Sequence, residues 1–294
     1  MLRHRDIVTA TYLGPLAVAD LVNLCVGVNG WVDKGVYAFS GGTVYVEEAL
    51  SDEHCKFRTF LFMFCGSLST WILVTFCVER CFAVWRPLKV ASTFTQRRRK
   101  STIVGVMIIS VFLGAAIVPT FKLVYDSDAS GHIIPDCRPA LTEYWHFVVF
   151  PMVYFGFYLY LPIFSVFILN ALIVFGVQRA DRDAGTVISG TSKRTSQNER
   201  KIIKNLVLVS ATYIFAVTPL CVVGTIQIMG EVTNWSNIAP DMIALVHQMA
   251  DFAFTFHIIN YSANYIIYVV SLDFYRAEFK KLLCCGLARK NGKG

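Results

Sequence analysis

The sequence predicts an all-α membrane protein with six transmembrane helices, and three observations support that prediction. Of its 294 residues, 55% are hydrophobic and only 16% are charged, against about 25% charged residues in an average soluble protein. Uncharged apolar runs of twenty or more residues recur along the chain, and a helix of that length spans the hydrocarbon core of a bilayer, about 30 Å thick. Lysine and arginine collect in alternate connections between the runs, which argues against nucleic-acid binding despite a net charge of +7.

The apolar runs predict spans at residues 9–32, 57–84, 101–122, 145–177, 201–229 and 243–271. The second run carries no formal charge from Thr59 to Val78 and then ends at Glu79-Arg80, so this acid and base are expected at a membrane surface. The first run contains Asp20 about halfway along. A carboxylate at that depth is costly unless it has polar partners, a cation or a proton.

The connections between the spans are predicted to be polar and irregular. Residues 33–56 are interpreted as an irregular connection or a short hairpin, because they contain paired glycines and several acids. Residues 124–143 are expected to form a polar loop, and residues 178–200 a mobile loop rich in serine and threonine. Residues 97–100 are all basic, which is typical of a stop signal at the membrane face.

The second half of the chain contains prolines within a predicted span and an amphipathic segment after the last span. Pro151 and Pro162 predict kinks in the fourth span, since each proline removes one backbone hydrogen bond. After the last span, residues 272–283 alternate apolar with basic residues, which predicts an amphipathic helix on the membrane surface, followed by a tail at 286–294.

The basic residues also predict the orientation in the membrane. The connections around residues 3–5, 80–100 and 179–204, together with the tail from residue 276, hold 22 of the 27 lysines and arginines. Cytoplasmic loops collect positive charge, so these loops and both termini are expected in the cytoplasm. The opposite side carries about twelve of the twenty acids, which makes the outer mouth electronegative.

Three sites of covalent modification are expected. Cys55 and Cys137 are the two cysteines in outer connections, an oxidising setting, so a disulfide between them is predicted; the alternative is two unrelated thiols. Asn234 begins a glycosylation sequon in an outer loop. Cys284 and Cys285 follow the amphipathic segment and are either palmitoylated or unmodified.

Four motifs occur in a fixed order: LAVADL containing Asp20, Cys55 twenty-five residues before Arg80, Glu79-Arg80-Cys81, and Asn264-Tyr265-Ile266-Ile267-Tyr268. This pattern resembles the rhodopsin-like (class A) G-protein-coupled receptors, and its overall texture is similar to invertebrate FMRFamide-type neuropeptide receptors. The resemblance covers about residues 7–285 as a single domain. It implies that the six spans are helices two to seven and that the amphipathic segment is helix eight. Helix one would then be absent, so a truncated gene model or an upstream start is expected.

The resemblance implies a switch and an ion site. Arg80 would pair with Glu79 and Glu199 in the resting state and receive the G protein in the active one, with Tyr268 in the same region; the alternative is a structural arginine. Asp20, Ser69, Asn260 and Asn264 would face each other as a sodium pocket, while a protonated or water-bridged Asp20 is the alternative. No cofactor is required, and Na⁺ at Asp20 would be allosteric.

The expected partners are a heterotrimeric G protein, an extracellular ligand and the lipid bilayer of the plasma membrane. The acidic outer loops and aromatic upper spans favour a short amidated, cationic peptide. The pocket candidates are Phe62, Tyr154, Gln227, His247, Asp251 and Phe254.

Val217 stands where the family usually has tryptophan in helix six. The resemblance therefore does not indicate how ligand binding at the pocket would reach the Arg80 switch. A small-molecule chemosensory receptor is the main alternative. A transporter or channel is more remote, because internal repeats are not evident. An enzyme is not expected, because no catalytic constellation appears in the sequence.

Overall fold

The computed structural model describes residues 4–40, 51–127, 133–139, 151–184, 190–232 and 240–271. Its α-helices are α1 (His4–Phe39), α2 (Asp52–Trp85), α3 (Pro87–Thr93), α4 (Gln96–Ile117), α5 (Leu161–Ala184), α6 (Gly190–Val232) and α7 (Pro240–Ser271). Within this part of the chain, five segments are long and apolar enough to cross a membrane: Thr11–Asn29, Asp52–Trp85, Gln96–Thr120, Met152–Ala180 and Ile202–Gln227. The predicted all-α membrane bundle is therefore confirmed.

Helix α2 is the central element of the bundle. Its first turn is capped by Ser51, whose side chain accepts a hydrogen bond from the backbone N–H of His54, and Asp52 and Glu53 complement the helix dipole there. The helix is apolar on nearly every face, as a helix surrounded by others must be. It packs against α1, α4, α5 and α6, while α7 packs against α1 and α6.

The first helix is longer than predicted. Helix α1 continues to Phe39 and α2 begins at Asp52, so the interpretation of residues 33–56 as an irregular connection or hairpin is wrong for its first seven and its last five residues. The segment after Val32 contains no proline, and its apolar residues Val36 and Phe39 keep helical spacing. The described helix stops just before Gly41-Gly42, a residue type that commonly ends helices.

The predicted polar loop at 124–143 contains a β-hairpin instead. Helix α4 ends at Ile117, a 3₁₀ turn covers Val118–Thr120, and strand β1 (Phe121–Ser127) pairs antiparallel with β2 (Ile133–Pro139). The end of the predicted third span, residues 121–122, therefore lies in a strand. The missed signal is the enrichment of both segments in β-branched and aromatic residues, which favour strands.

Two helical segments also differ from expectation. The fourth span enters as a π-helical segment, Pro151–Tyr160, before α5 begins, so its backbone departs from the α form where the prolines predicted a kink. The predicted mobile loop at 178–200 is wrong over most of its length, because α5 runs to Ala184 and α6 begins at Gly190. The predicted amphipathic helix 272–283 and the tail 286–294 lie outside the described residues.

Candidate functional site

At one end of the bundle, which we call the disulfide end, α2 is fixed to the hairpin. A disulfide joins Cys55, in the first turn of α2, to Cys137 in β2, with a Cα–Cα distance of 5.7 Å. In β1, the backbone N–H of Leu123 donates to Asp52 Oδ1 over 3.0 Å, and Leu123 is paired directly with Cys137. Both strands are thus tied to the same helical turn, and the predicted disulfide is confirmed.

Beyond the disulfide, three of the pocket candidates contribute to one aromatic cluster. The rings of Phe62 in α2 and Phe254 in α7 lie 5.3 Å apart, and each also contacts the ring of His257. Tyr154 stacks on Tyr158 at 5.4 Å, in the π-helical segment. We call Phe62, Tyr154, Tyr158, Phe254 and His257 the aromatic cluster.

Two of the other three candidates have side chains that the structure describes. Gln227 is partly buried in α6, and Asp251 is exposed in α7, three residues before Phe254. The side chain of His247 lies outside the described part of the chain.

The floor of the aromatic cluster is polar. Tyr158 Oη lies 3.3 Å from His257 Nε2 and 3.2 Å from Tyr261 Oη. His257 Nε2 and Tyr261 Oη are themselves 3.0 Å apart, so the three polar atoms form a triangle. All three side chains are buried. The close approach depends on Gly66, since a Cβ there would lie 2.1 Å from Tyr158 Oη.

Asn23 connects this polar group to α2. In the amide orientation that satisfies both ends, its oxygen accepts from Tyr261 Oη at 3.0 Å and from the N–H of Gly66 at 2.8 Å, while its nitrogen donates to the carbonyl of Phe62 at 2.9 Å. Sequence reasoning did not identify Asn23 or the Tyr158–His257–Tyr261 group. The available signal was the spacing of His257 and Tyr261, which places both on one face of α7.

The predicted sodium-pocket residues lie next along the bundle. Asp20 is only 3% exposed; it accepts hydrogen bonds from Ser69 Oγ and from Asn264 Nδ2, the latter at 3.0 Å. Asn260 is buried one helical turn before Asn264, and among the described residues the Oδ1 atoms of both have no hydrogen-bond partner. A carboxylate, a hydroxyl and two amide oxygens are hard ligands of the kind that suit Na⁺.

At the opposite end of the bundle, which we call the Arg80 end, the predicted pair of Arg80 with Glu79 is present, but two other residues bind Glu79 more closely. Glu79 is 1% exposed and receives three hydrogen bonds of 2.8–3.1 Å from Arg99 of α4, plus one of 2.9 Å from Tyr12 of α1. The predicted partner, Arg80, is farther away, with its Nη2 3.7 Å from Glu79 Oε1. The guanidinium of Arg80 lies over the ring of Phe76, 5.1 Å from the centroid.

Sequence reasoning missed Arg99 because it read residues 97–100 as one stop signal. In the structure only Arg99 of these four is buried. Glu199 lies in α6 and Tyr268 in α7, but the side chains of both are outside the described set, so their part in the switch stays a prediction. Asn234, Cys284 and Cys285 also lie outside the described residues.

The family model of the 7 transmembrane receptor (rhodopsin family) matches residues 2–268. The chain belongs to the rhodopsin family of seven-transmembrane receptors. This membership confirms the predicted class, a multi-pass membrane receptor and not an enzyme.

The receptor is also similar to individual relatives. It is 24% identical to the gonadotropin-releasing hormone receptor of Mus musculus over 220 residues, 73% of this chain. It is 24% identical to the Homo sapiens receptor of the same name over 223 residues. The matched region spans 64% of the length of each of these relatives.

Proposed function

We propose that this receptor binds an extracellular ligand at its disulfide end and activates a heterotrimeric G protein at its Arg80 end. The observation that carries the proposal is the layout of α2. One helix bears Cys55, Phe62, Ser69 and Arg80, which places the hairpin, the aromatic cluster, the Asp20 group and the switch in sequence over about 38 Å. A displacement of α2 at the aromatic cluster is therefore transmitted along this helix to Arg80.

A buried polar chain supports the coupling between the two ends. It runs from His257 through Tyr261 to Asn23, and Asp20 lies one helical turn from Asn23 on the same face of α1. Val217, which replaces the family's tryptophan, is completely buried. We propose that the Tyr158–His257–Tyr261 group performs the relay that this tryptophan performs elsewhere.

The arrangement of charge supports the orientation in the membrane. The basic connections lie at the Arg80 end, so we propose that this end and the C-terminus face the cytoplasm of a plasma-membrane receptor. In the resting state Arg80 pairs with Glu79 of its own helix and with Glu199 of α6. Activation moves α6 outward and leaves Arg80 to receive the G protein.

We propose a short amidated, cationic peptide as the ligand. The acidic residues of the outer connections attract positive charge, and the aromatic cluster accepts an aromatic end group. Similarity to receptors named for a releasing hormone supports a messenger of this general kind. Na⁺ at Asp20 is proposed as an allosteric ligand. This is supported by the hydrogen bonds that join Asp20 to Ser69 and Asn264, and by the buried amide oxygens of Asn260 and Asn264, which have no partner among the described residues.

A small-molecule chemosensory role is the second candidate, and one observation favours it. Phe62 is only 6% exposed and Tyr154 only 9%, so the described aromatic cluster is closed enough to suit a small apolar molecule.

A ligand screen distinguishes the two roles. Cells expressing the receptor are exposed to an amidated peptide library and to a library of small apolar compounds, with calcium and cyclic AMP as readouts. An Arg80→Ala variant at equal surface expression controls for responses that do not pass through the switch. Responses to peptides alone support the peptide proposal, responses to small molecules alone support the second candidate, and a response that survives Arg80→Ala contradicts the switch.

A further inference from the structure

Two arginines from different helices approach the same buried carboxylate at the Arg80 end. Arg99 of α4 reaches both oxygens of Glu79, with Nη2 2.8 Å from Oε1 and Nε 3.0 Å from Oε2. Arg80, the next residue along α2, has its Nη2 3.7 Å from Oε1. The closer and more complete pairing therefore belongs to Arg99.

The acceptor capacity of Glu79 is largely taken by groups other than Arg80. Besides Arg99, the hydroxyl of Tyr12 donates to Oε2 at 2.9 Å. A two-pronged arginine–carboxylate pair is stronger and more directional than a single contact. Glu79 and Arg99 are 1% and 4% exposed, so solvent screens their attraction little. One carboxylate bound this firmly to Arg99 has less attraction left for Arg80.

We propose that Arg99 is a positioning residue of the switch: by holding Glu79 it weakens the grip of Glu79 on Arg80 and so sets the resting activity of the receptor. This inference rests on the proposed function and adds Arg99 as a second cation that competes with Arg80 for Glu79. In the usual two-partner picture, Glu79 restrains Arg80 fully. In this receptor α4 and α1 share Glu79, so the restraint is partial and adjustable by any motion of α4.

Substitutions at Arg99 and Glu79 are expected to change G-protein engagement in opposite directions. Without Arg99, the buried Glu79 turns to the remaining cation, and Arg80 is held more tightly in the resting position. Arg99→Gln is therefore expected to lower G-protein engagement, whereas Glu79→Gln raises it. Glu79→Gln/Arg99→Gln is expected to resemble Glu79→Gln, since Arg99 acts only through Glu79.

The test measures ligand-free capture of G proteins by the full chain in membranes. Membranes with equal amounts of surface receptor are depleted of nucleotide and titrated with heterotrimers from each of the major Gα classes. Arg99→Gln is expected to weaken capture about fivefold, the lower end of typical coupling between linked sites. Arg99→Lys, which keeps the charge but loses the two-pronged geometry, and Tyr12→Phe are expected to fall between Arg99→Gln and the wild type.

Arg98→Gln is the matched control. Arg98 is the neighbouring arginine of the same helix, is exposed, and donates to the carbonyl of Thr93, so its loss removes the same charge without touching Glu79. Its capture curve is expected to match the wild type. Equal losses in Arg98→Gln and Arg99→Gln would overturn the proposal, because the effect would then come from total charge at the membrane face.

Thermal denaturation of the same variants separates signalling from stability. A purely structural Arg99 lowers the melting temperature but leaves capture per folded receptor unchanged, and that result overturns the proposal. If Arg99→Gln does not fold, the Arg99→Lys and Tyr12→Phe variants decide by the same criterion. If the wild type and Glu79→Gln capture no G protein at all, the proposed function itself fails, and this inference falls with it.

Discussion

The side-chain amide of Asn264 donates to Asp20 Oδ2 over 3.0 Å and so joins two helices across 244 positions of the chain. Ser69 of a third helix donates to the other carboxylate oxygen. Three helices therefore meet at one buried acid, and the charge state or ligand of that acid affects the packing of all three.

Sodium is expected to stabilise the receptor through Asp20. The melting temperature in NaCl should exceed that in choline chloride at equal ionic strength, because Na⁺ takes oxygen ligands such as those around Asp20, whereas the bulky choline cation does not. Asp20→Asn should abolish the difference, since the amide cannot supply the negative charge. The measurement is thermal unfolding of purified receptor in the two salts.

Ser67→Ala is the control for the sodium experiment. Ser67 is fully buried two residues before Ser69, and its hydroxyl has no hydrogen-bond partner within the described structure. This variant should keep the sodium effect. A melting temperature of the wild type that is the same in both salts would favour the protonated or water-bridged Asp20 instead.

Gly66 is predicted to be essential for the polar floor of the aromatic cluster. A Cβ at Gly66 would lie 2.1 Å from Tyr158 Oη and 2.9 Å from the side-chain amide of Asn23, so Gly66→Ala forces these side chains apart. Overpacking of this kind costs about 1–3 kcal/mol. Gly105→Ala is the matched control, because a Cβ there meets no atom within 4 Å, and it should leave the melting temperature unchanged or slightly higher.

A second substitution tests the cause of the Gly66 effect. Tyr158→Phe removes the oxygen that the new Cβ would meet. It should therefore recover part of the stability lost in Gly66→Ala. Equal melting temperatures for Gly66→Ala and Gly105→Ala would show that the contact is not as close as described.

The hairpin should depend on both of its ties to α2. Cys55→Ala and Cys137→Ala are each expected to lower stability by about 2–5 kcal/mol, the usual cost of losing a native disulfide. Asp52→Asn weakens the second tie, to Leu123, and should cost about 1 kcal/mol. Thermal unfolding with and without reducing agent measures both effects.

The free cysteine Cys25 provides the control for the disulfide. Cys25 is exposed and takes no part in the bond. Cys25→Ala should therefore unfold like the wild type and keep its sensitivity to reducing agent. The double variant Cys55→Ala/Cys137→Ala should be no less stable than either single variant, and additive losses would contradict the bond.

Glu199 is predicted to restrain Arg80 from α6. Glu199→Ala should raise ligand-independent signalling about fivefold or more, because one carboxylate partner of the resting state is lost. Asn198→Ala, the adjacent polar residue, is the control and should signal like the wild type. Ligand-independent G-protein activation per surface receptor is the measurement, and an unchanged baseline for Glu199→Ala would contradict the lock.

Much of the fold was predictable because its signals are local. The apolar stretch from Thr59 to Val78 predicts a membrane helix, and α2 encloses it. The hairpin was missed because polar residues such as Asp126 and Asp136 suggested a loop, although the flanking residues favour strands. At the Asp20 group, the resemblance named all four residues, and the structure directly joins Asp20, Ser69 and Asn264.

The sequence by itself determined which segments are long and apolar enough to span the membrane, where the disulfide forms and which acid and base follow the apolar run of α2. These properties follow from the length of apolar runs and from the order of motifs along one chain. Only the tertiary structure decided that Glu79 binds Arg99 and Tyr12 more closely than Arg80. It also decided that Tyr158, His257 and Tyr261 meet. A side chain's partner depends on which helix faces are pressed together, and a run of similar residues such as 97–100 does not reveal which one turns inward.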